Sequence, residues 1–476
     1  MSNHNSKTFL SKKKYFLMFL FICLVFFVSL FSGPVVDDEK QIQLNTRNIY
    51  LPYGFGFSVG SDSGNYLRVA NNPKIIFENE RFVDGRELVP GRVSLSRPGS
   101  LFAVFLISKP IEFIWNKLNF FSESIHLELQ KSLNYGYEVS GIDQRIEDSI
   151  DNLSELYPTY ISFLILNLLV IFFSFSFYCK SIGISVFKID SYSKLVLWLG
   201  LFFIINDISK KYFVSPNPGI FNLFAASLTL FACSRLDKIR NNNKTLLLFS
   251  GVIGFFNLFY EMFICPYLTF LIIFFKIEIF DKKRRPLNLL NDWGVYLTAF
   301  LLFIFSYVVW FAMVEFYFGI NFYHYGVEAY PGFSALNLDI LDRIYTIFHR
   351  SFNGLKIALF STLPILLIFV TLFIKNTFFT EEKINFFKNN YFFIGIFYLV
   401  FVTIFFSSYG EIRSRHTIAC ILIFLPFVSL LVEEFEKKYK KKIVIPIIFV
   451  MFSIYSVFVA RKVFPYGEGI ITNPFN

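Results

Sequence analysis

Long apolar runs separated by short polar segments make up most of the chain. The first run extends from about Tyr15 to Ser32, directly after Lys12, Lys13 and Lys14. Later runs lie at roughly 159–178, 193–207, 217–234, 245–262, 264–280, 293–318, 355–374, 391–408, 416–432 and 443–461. Each approaches the ~20 residues that a helix needs to cross the hydrocarbon core, where the backbone must satisfy its own hydrogen bonds. The pattern predicts an all-α, polytopic membrane helix bundle with about eleven transmembrane helices.

The first apolar run has two interpretations. It is short for a membrane span, yet long for the apolar core of a secretory signal peptide. Ser29, Ser32 and Gly33 leave room for a cleavage site, although the small-x-small pattern is not met cleanly. We favour an uncleaved first span with the N-terminus in the cytoplasm.

The basic residues of the polar segments give the predicted topology. They cluster before the first run and near 180–194, 235–244, 282–285, 375–388 and 437–442. With about eleven spans, all of these segments fall on the side of the N-terminus, and Lys and Arg collect in cytoplasmic loops. The distribution therefore predicts an integral multi-pass membrane protein with a cytoplasmic N-terminus.

Residues 101–121 test this topology, because they are apolar as well. Lys109 and Pro110 interrupt the run. If the run crossed the membrane, every later basic segment would move to the outer side, so we expect interfacial helices with Trp115 at headgroup level. The predicted organisation is the N-terminus and first span at 1–33, a large extracytoplasmic loop at 34–157, a multi-span bundle at 158–461 and an extracytoplasmic tail at 462–476.

Composition narrows the class of protein. Of 476 residues, 55% are hydrophobic and only 17% are charged, whereas a soluble protein of this length carries more charge. Lys and Arg residues in cytoplasmic loops explain the net charge of +10. No basic run carries interleaved aromatic side chains on which nucleic-acid bases could stack, so we expect no nucleic-acid partner. The cysteines form no C-x-x-C pair, which favours small apolar side chains over disulfides or zinc.

The large outer loop holds the first candidate for chemistry, Asp62, within Gly60-Ser61-Asp62-Ser63-Gly64. Gly, Ser and Asp favour solvated turns for local reasons. The functional interpretation is a carboxylate that acts as general base or holds a metal. Asp37 and Asp38 compete for the role. The cofactor stays open, since a divalent metal has no clear ligand set here.

Arg97 and Glu261 are two further candidates. Arg97 precedes Pro98, an ordinary first residue of a helix, and is placed to anchor to lipid phosphate or to bind the phosphate of a lipid-linked substrate. Glu261 follows Tyr260 at the outer end of an apolar run, where a carboxylate faces a cavity, a partner or simply water.

A polar segment near the end of the chain adds Arg413, Arg415 and His416. Basic residues on the outer side run against the positive-inside trend. Anion binding near the bilayer surface explains them, as does pairing with Glu411 or Asp62. A lone His at a helix start is more often structural.

The order of these motifs resembles that of GT-C-type integral-membrane glycosyltransferases, the class that includes protein mannosyltransferases and lipid A aminoarabinose transferases. In this class an Asp is followed by Tyr-Leu and Ala, as Asp62 is by Tyr66-Leu67 and Ala70. An Arg-Pro before an interfacial helix matches Arg97-Pro98, and a Tyr-Glu at the end of an outer-facing helix matches Tyr260-Glu261. A late Arg-containing element matches the segment with Arg413, Arg415 and His416.

The resemblance implies transfer of a sugar from a polyprenyl-phosphate donor to a glycan, lipid or protein acceptor at the outer face of a bacterial cytoplasmic (inner) membrane. Asp62 would deprotonate the acceptor hydroxyl, with Glu261 as a second catalytic residue that orients a sugar or Arg97. The implied substrate-binding residues are Arg97, Tyr66, Tyr260, Arg413, Arg415 and His416, of which the arginines would stabilise the phosphate leaving group.

Two other classes stay open. A flippase or exporter of lipid-linked glycans would need a polar path through the helix bundle for the glycan. The predicted spans carry few ionisable residues, which disfavours this class. A polysaccharide polymerase shares the membrane and the lipid-linked substrate, but normally has its main outer loop later in the chain.

Overall fold

The computed structural model describes most of the apolar runs. The described residues are 4–27, 48–50, 56–58, 66–67, 69–76, 82–83, 86–87, 97–118, 153–181, 199–236, 239, 242–280, 289–318, 338–363, 366–367, 370–371, 374, 390–409, 414–429, 431–432 and 444–461. Asp37, Asp38, Asp62 and Arg413 lie outside them.

Helices dominate the described chain, which confirms the all-α prediction at the level of class. They are α1 (His4–Phe27), α2 (Pro98–Lys117), α3 (Leu153–Ser181), α4 (Asp207–Val214), α5 (Phe221–Ser234), α6 (Asn243–Phe256), α7 (Ile264–Phe280), α8 (Leu289–Phe318), α9 (Ile340–Ser361), α10 (Asn390–Tyr409), α11 (Ser414–Leu422) and α12 (Val444–Arg461). Two small antiparallel hairpins were not predicted: β1 (Asn48–Tyr50) with β2 (Gly56–Ser58), and β3 (Phe82–Val83) with β4 (Arg86–Glu87).

Three described helices are long and apolar enough to cross a membrane, which indicates a membrane protein. The qualifying segments are Pro98–Lys117, Tyr157–Ser181 and Trp293–Tyr317. Other apolar helices, such as Glu261–Phe275 and Asn390–Phe406, are shorter within the described residues. The count of about eleven spans is therefore not confirmed and stays a prediction.

α2 is one continuous helix that includes Pro110. Its start agrees with the sequence, because Arg97 occupies the N-cap position and Pro98 is the first helical residue. Lys109 and Glu112 form an exposed ion pair of 2.8 Å on its surface. Since α2 is also long and apolar enough to span, the interfacial location stays a prediction.

The polar segment between the apolar runs at 293–318 and 355–374 is partly helical, because α9 begins at Ile340. Its charged residues interrupt an amphipathic repeat.

The chain divides into two compact units. The first comprises Met1–Leu20, Ile171–Ile208 and Phe221–Tyr455, and the second comprises Phe21–Val170, Ser209–Ile220 and Ser456–Asn476. In the first unit α6 packs along α8, and α7 packs on α5 and α10. α11 packs on α9 and α10.

In the second unit two polar side chains fix the ends of helices. Asn167 Nδ2 donates to the carbonyl oxygens of Tyr212, Phe213 and Ser215, at 3.2, 2.9 and 3.3 Å, where α4 ends. The fully buried Lys210 donates from Nζ to Val459 O and Ala460 O, at 2.7 and 2.8 Å. These carbonyls lie in the last turn of α12, where intrahelical partners run out and a cation is stabilised by the helix dipole.

Candidate functional site

The second unit brings together two of the predicted motifs, although they are far apart in sequence. Arg97 Nη1 donates a 2.6 Å hydrogen bond to the hydroxyl oxygen of Tyr66, across 31 positions of the chain. Tyr66 is fully buried and Arg97 is only 4% exposed. We call these two residues the Tyr66–Arg97 cluster.

The local structure on both sides explains how the cluster is held. Tyr66 lies in a short helical segment in which Leu67, Val69 and Ala70 are buried as well, so one apolar face fixes the segment. On the other side, Ser100 Oγ donates to the carbonyl oxygen of Arg97 at 2.9 Å. The Arg97 backbone is therefore anchored to the first turn of α2.

A second contact ties the Tyr66 segment to α3. Thr159 Oγ1 donates to Asn71 Oδ1 at 2.9 Å. Near this contact, the hydroxyl of Tyr160 donates to Val214 O at 3.1 Å and joins α3 to α4. The segment that follows Asp62 in sequence is thus attached to the helical core of the second unit.

The guanidinium of Arg97 is buried beside the hydroxyl of Tyr66. Burying a guanidinium is unfavourable unless its N–H groups are hydrogen-bonded, and a bond from a charged donor is shorter and stronger than a neutral one. A buried arginine at this position presents a fixed planar set of donors, which suits the geometry of phosphate and carboxylate groups.

The first unit brings together the other two predicted motifs. The hydroxyl of Tyr260 and Nε2 of His416 are 3.1 Å apart, across 156 positions of the chain. Asn222 Nδ2 donates to the Tyr260 hydroxyl at 3.4 Å, and Arg415 Nε donates to His416 Nε2 at 3.1 Å. We call Asn222, Tyr260, Arg415 and His416 the Tyr260–His416 cluster.

Two polar groups meet at Nε2 of His416: Arg415 Nε–H donates to it, and the Tyr260 hydroxyl lies within hydrogen-bond distance of the same nitrogen. The His416 ring stacks on that of Phe406, with centroids 3.7 Å apart and an interplanar angle of 9°. The stacking fixes the plane of the imidazole, and the hydrogen bonds fix its rotation.

Arg415 is oriented by this arrangement. Its side chain is half-buried and engages His416 through Nε. The planar guanidinium therefore directs its Nη edge away from the imidazole. Such an edge is the part of arginine that recognises two oxygens of one phosphate.

Glu261 lies next to this cluster in sequence. Tyr260 is extended, with φ −161° and ψ 124°, and Glu261 begins a single 3₁₀ turn, Glu261–Phe263, before α7. Tyr260 is fully buried while Glu261 is half-buried. The break between α6 and α7 thus sends these neighbouring side chains into different environments.

The predictions for Asp62 and Arg413 are untested, because both residues lie outside the described part of the chain. Asn222 was missed by the sequence reasoning. Its signal was an amide three positions after Pro218-Gly219, in the first turn of an apolar helix, where a buried polar group needs a partner. Among the described residues, no group of three or more His, Cys, Asp or Glu side chains is placed to hold a metal ion.

Fold and sites define a helical membrane protein with two buried polar clusters that contain arginine, tyrosine and histidine. No protein-family model, no curated protein and no solved structure matches the chain.

Proposed function

We propose that this chain is a membrane glycosyltransferase that moves a sugar from a polyprenyl-phosphate-linked donor to an acceptor at the outer face of the membrane. The observation that carries the proposal is the 2.6 Å bond between Tyr66 and Arg97. It joins the Asp-Tyr-Leu motif to the Arg-Pro motif, which are two of the elements on which the GT-C resemblance rests. The Tyr260–His416 bond joins the other two elements in the same way.

The proposed reaction follows from the chemistry of a glycosyl phosphate. The acceptor hydroxyl loses its proton to the Asp62 carboxylate, and its oxygen attacks the anomeric carbon of the sugar. The bond between that carbon and the phosphate oxygen breaks, and polyprenyl phosphate leaves with the electron pair. Arginine is suited to this leaving group, because preorganised cations stabilise charge where it develops.

Arg97 and Arg415 are the two candidate arginines, each in its own unit, that the described chain holds in place. Arg97 is fixed by Tyr66 and by its anchored backbone, and Arg415 by His416. A side chain held in one orientation pays less entropy on binding, which is why fixed donors serve catalysis. Tyr66, Tyr260 and His416 therefore act as positioning residues in this proposal.

The test uses release of polyprenyl phosphate, since every sugar and every acceptor gives this product. The purified full chain in liposomes receives undecaprenyl-phosphate-linked hexose or aminoarabinose together with a membrane extract as acceptor. Mass spectrometry follows the release of undecaprenyl phosphate. We expect release by the native chain, and a loss of about 10²- to 10⁴-fold on Asp62→Asn, as for removal of a general base.

Asp37→Asn and Asp38→Asn are the matched controls, since each removes one carboxylate from the same outer loop. Full retained activity of Asp62→Asn would refute its role, and loss on Asp37→Asn or Asp38→Asn would move the role there. If the labelled donor crosses the bilayer intact with no release of undecaprenyl phosphate, the chain is a flippase and the glycosyltransferase proposal is wrong.

A further inference from the structure

α9 presents three different surfaces along its length. Residues spaced by three or four positions lie on one side of an α-helix. By this rule the part of α9 from Leu341 to Lys356 carries an apolar stripe, a polar stripe and a packed stripe. The first two stripes are exposed, and the third is half-buried or buried.

The apolar stripe is large and exposed. It consists of Leu341, Tyr345, Phe348 and Phe352, whose side chains are 81%, 69%, 72% and 67% exposed. Scattered exposed apolar residues are normal on a protein, but a contiguous stripe of four large side chains marks a surface that another phase or partner covers.

The polar stripe lies beside it and is also exposed. It consists of Asp342, His349, Asn353 and Lys356. Asn353 Nδ2 and His349 Nε2 are hydrogen-bonded at 3.0 Å, which continues the polar surface from one turn to the next. These side chains need water or headgroups along the whole length of the segment.

The packed stripe attaches α9 to the first unit. It consists of Arg343, Ile347, Arg350 and Gly354, which are half-buried apart from the buried Gly354. The carbonyl oxygen of Gly354 accepts a 2.8 Å hydrogen bond from Thr417 Oγ1. Because this side is fixed on α11, the directions of the apolar and polar stripes are fixed as well.

α8, which is long and apolar enough to cross a membrane, has a different exposed surface in the same unit. Its exposed side chains between 293 and 314 carry no charge, and large apolar groups such as Phe300, Phe305 and Val308 are exposed on it. In α9 the exposed surface is divided between apolar and polar halves. A crossing helix would hold Asp342, His349 and Lys356 at successive depths of the bilayer, which is unfavourable.

We propose that the amphipathic part of α9 lies along the membrane surface; because α9 is one continuous helix to Ser361, any span in the apolar run predicted at 355–374 begins only after it. The apolar stripe enters the boundary between headgroups and acyl chains, and the polar stripe faces water. The polar stripe carries one acidic and one basic residue, Asp342 and Lys356, and its remaining side chains are uncharged or histidine, which suits the zone of water and headgroups. The occupant of the apolar stripe is therefore the lipid bilayer.

This location has a consequence for the Tyr260–His416 cluster. Thr417 bonds to Gly354 and directly follows His416 in the chain. An interfacial α9 therefore holds His416 and Arg415 near the headgroup level of the membrane. The inference does not depend on glycosyl transfer, since it rests on the surfaces of α9 alone.

Nitroxide labelling of the full chain in vesicles of phosphatidylethanolamine and phosphatidylglycerol tests the proposal. Single cysteines replace Leu341, Tyr345, Phe348 or Phe352 on the apolar stripe, and His349 or Asn353 on the polar stripe as matched controls. Cys23→Ser removes the one native cysteine that is half-buried; the other four are buried. All labelled positions are exposed, and gel filtration checks that each variant remains folded.

The readout is accessibility to oxygen, which concentrates in acyl chains, and to a water-soluble nickel chelate. We expect oxygen to dominate at the apolar stripe and nickel at the polar stripe. Depth should be uniform, within about 5 Å from Leu341 to Phe352, for a helix in the interface. A helix that crosses the bilayer would instead show depth changing by about 16 Å over these eleven steps.

Three results would overturn the proposal. The first is a label depth in the bilayer that changes progressively from Leu341 to Phe352. The second is equal nickel access at both stripes, which would leave the apolar stripe in water. The third is an apolar stripe that neither reagent reaches, which would mean that protein, such as a second copy of the chain, covers it.

Discussion

The backbone of α8 approaches α6 closely at Gly254, and replacement of this glycine by alanine is a sharp test of the packing. A Cβ at position 254 would lie 2.2 Å from the carbonyl oxygen of Phe303 in α8. Ordinary contacts of such an atom begin at 3.4 Å, so the methyl group is about 1.2 Å too close. The obstacle is backbone and cannot rotate away.

The two helices must therefore separate or tilt to accept the methyl group. Small residues permit such approaches between membrane helices, where packing is a main source of association. A radial gap of 0.5–1 Å forfeits roughly a quarter to a half of the dispersion energy of the contacts around it. Stacking of Tyr267 on Phe303, with centroids 3.9 Å apart, is exposed to this loss. We expect Gly254→Ala to lower the free energy of unfolding by about 1–3 kcal/mol.

Gly251 is the matched control, since it lies one turn earlier in the same helix and a Cβ there meets nothing within 4 Å. Gly251→Ala should be neutral or raise stability by up to about 1 kcal/mol through helix propensity. Unfolding by SDS titration from mild detergent, followed by circular dichroism, measures both variants. Equal stability of the two variants would refute the close approach of α6 and α8.

Three further predictions use the same SDS titration. Tyr66→Phe removes the hydroxyl that accepts from Arg97 and should lower the free energy of unfolding by about 1.5–3 kcal/mol, because the donor is charged and buried. Tyr345→Phe, the exposed control, should leave the free energy of unfolding unchanged. Equal effects of the two variants would contradict the buried bond. Asn167→Asp replaces a donor to three carbonyls with an acceptor and should destabilise by about 3 kcal/mol or more; a stable variant would mean that these bonds are not formed. Lys210→Met keeps the apolar stem but loses both bonds to the end of α12, and it should lower the free energy of unfolding by about 1.5–3 kcal/mol. Lys211→Met should have little effect on stability. An unchanged stability of Lys210→Met would show that the two bonds to α12 are not needed.

The sequence predicted best those helices that are apolar on all sides. α7 was predicted at 264–280 and observed as Ile264–Phe280, and α12 at 443–461 and observed as Val444–Arg461. Such runs have few alternatives, because lipid requires internal backbone hydrogen bonds and polar residues mark the ends. The start of α2 was equally clear, since proline after a polar residue is a typical first turn.

The sequence failed where tertiary packing supplies what the local pattern lacks. No apolar run marks the first part of α9, because charged residues interrupt the stripe from Leu341 to Phe352. Lys210 lies in a polar stretch between two apolar runs, yet it is fully buried, because its acceptors come from a helix 249 positions later. No local pattern reports such a partner. The pairing of Tyr66 with Arg97 is another long-range contact, although both residues were identified as candidates individually.

The bond between Lys210 and the end of α12 has a consequence for synthesis of the protein. Ribosomes add about 5–20 residues per second, so the 249 positions between Lys210 and Val459 correspond to roughly 12–50 seconds. During this time α4 has left the ribosome and its lysine lacks these two acceptors. The second unit therefore completes its assembly only after α12 has been synthesised, and until then Lys210 is a cation without these two partners.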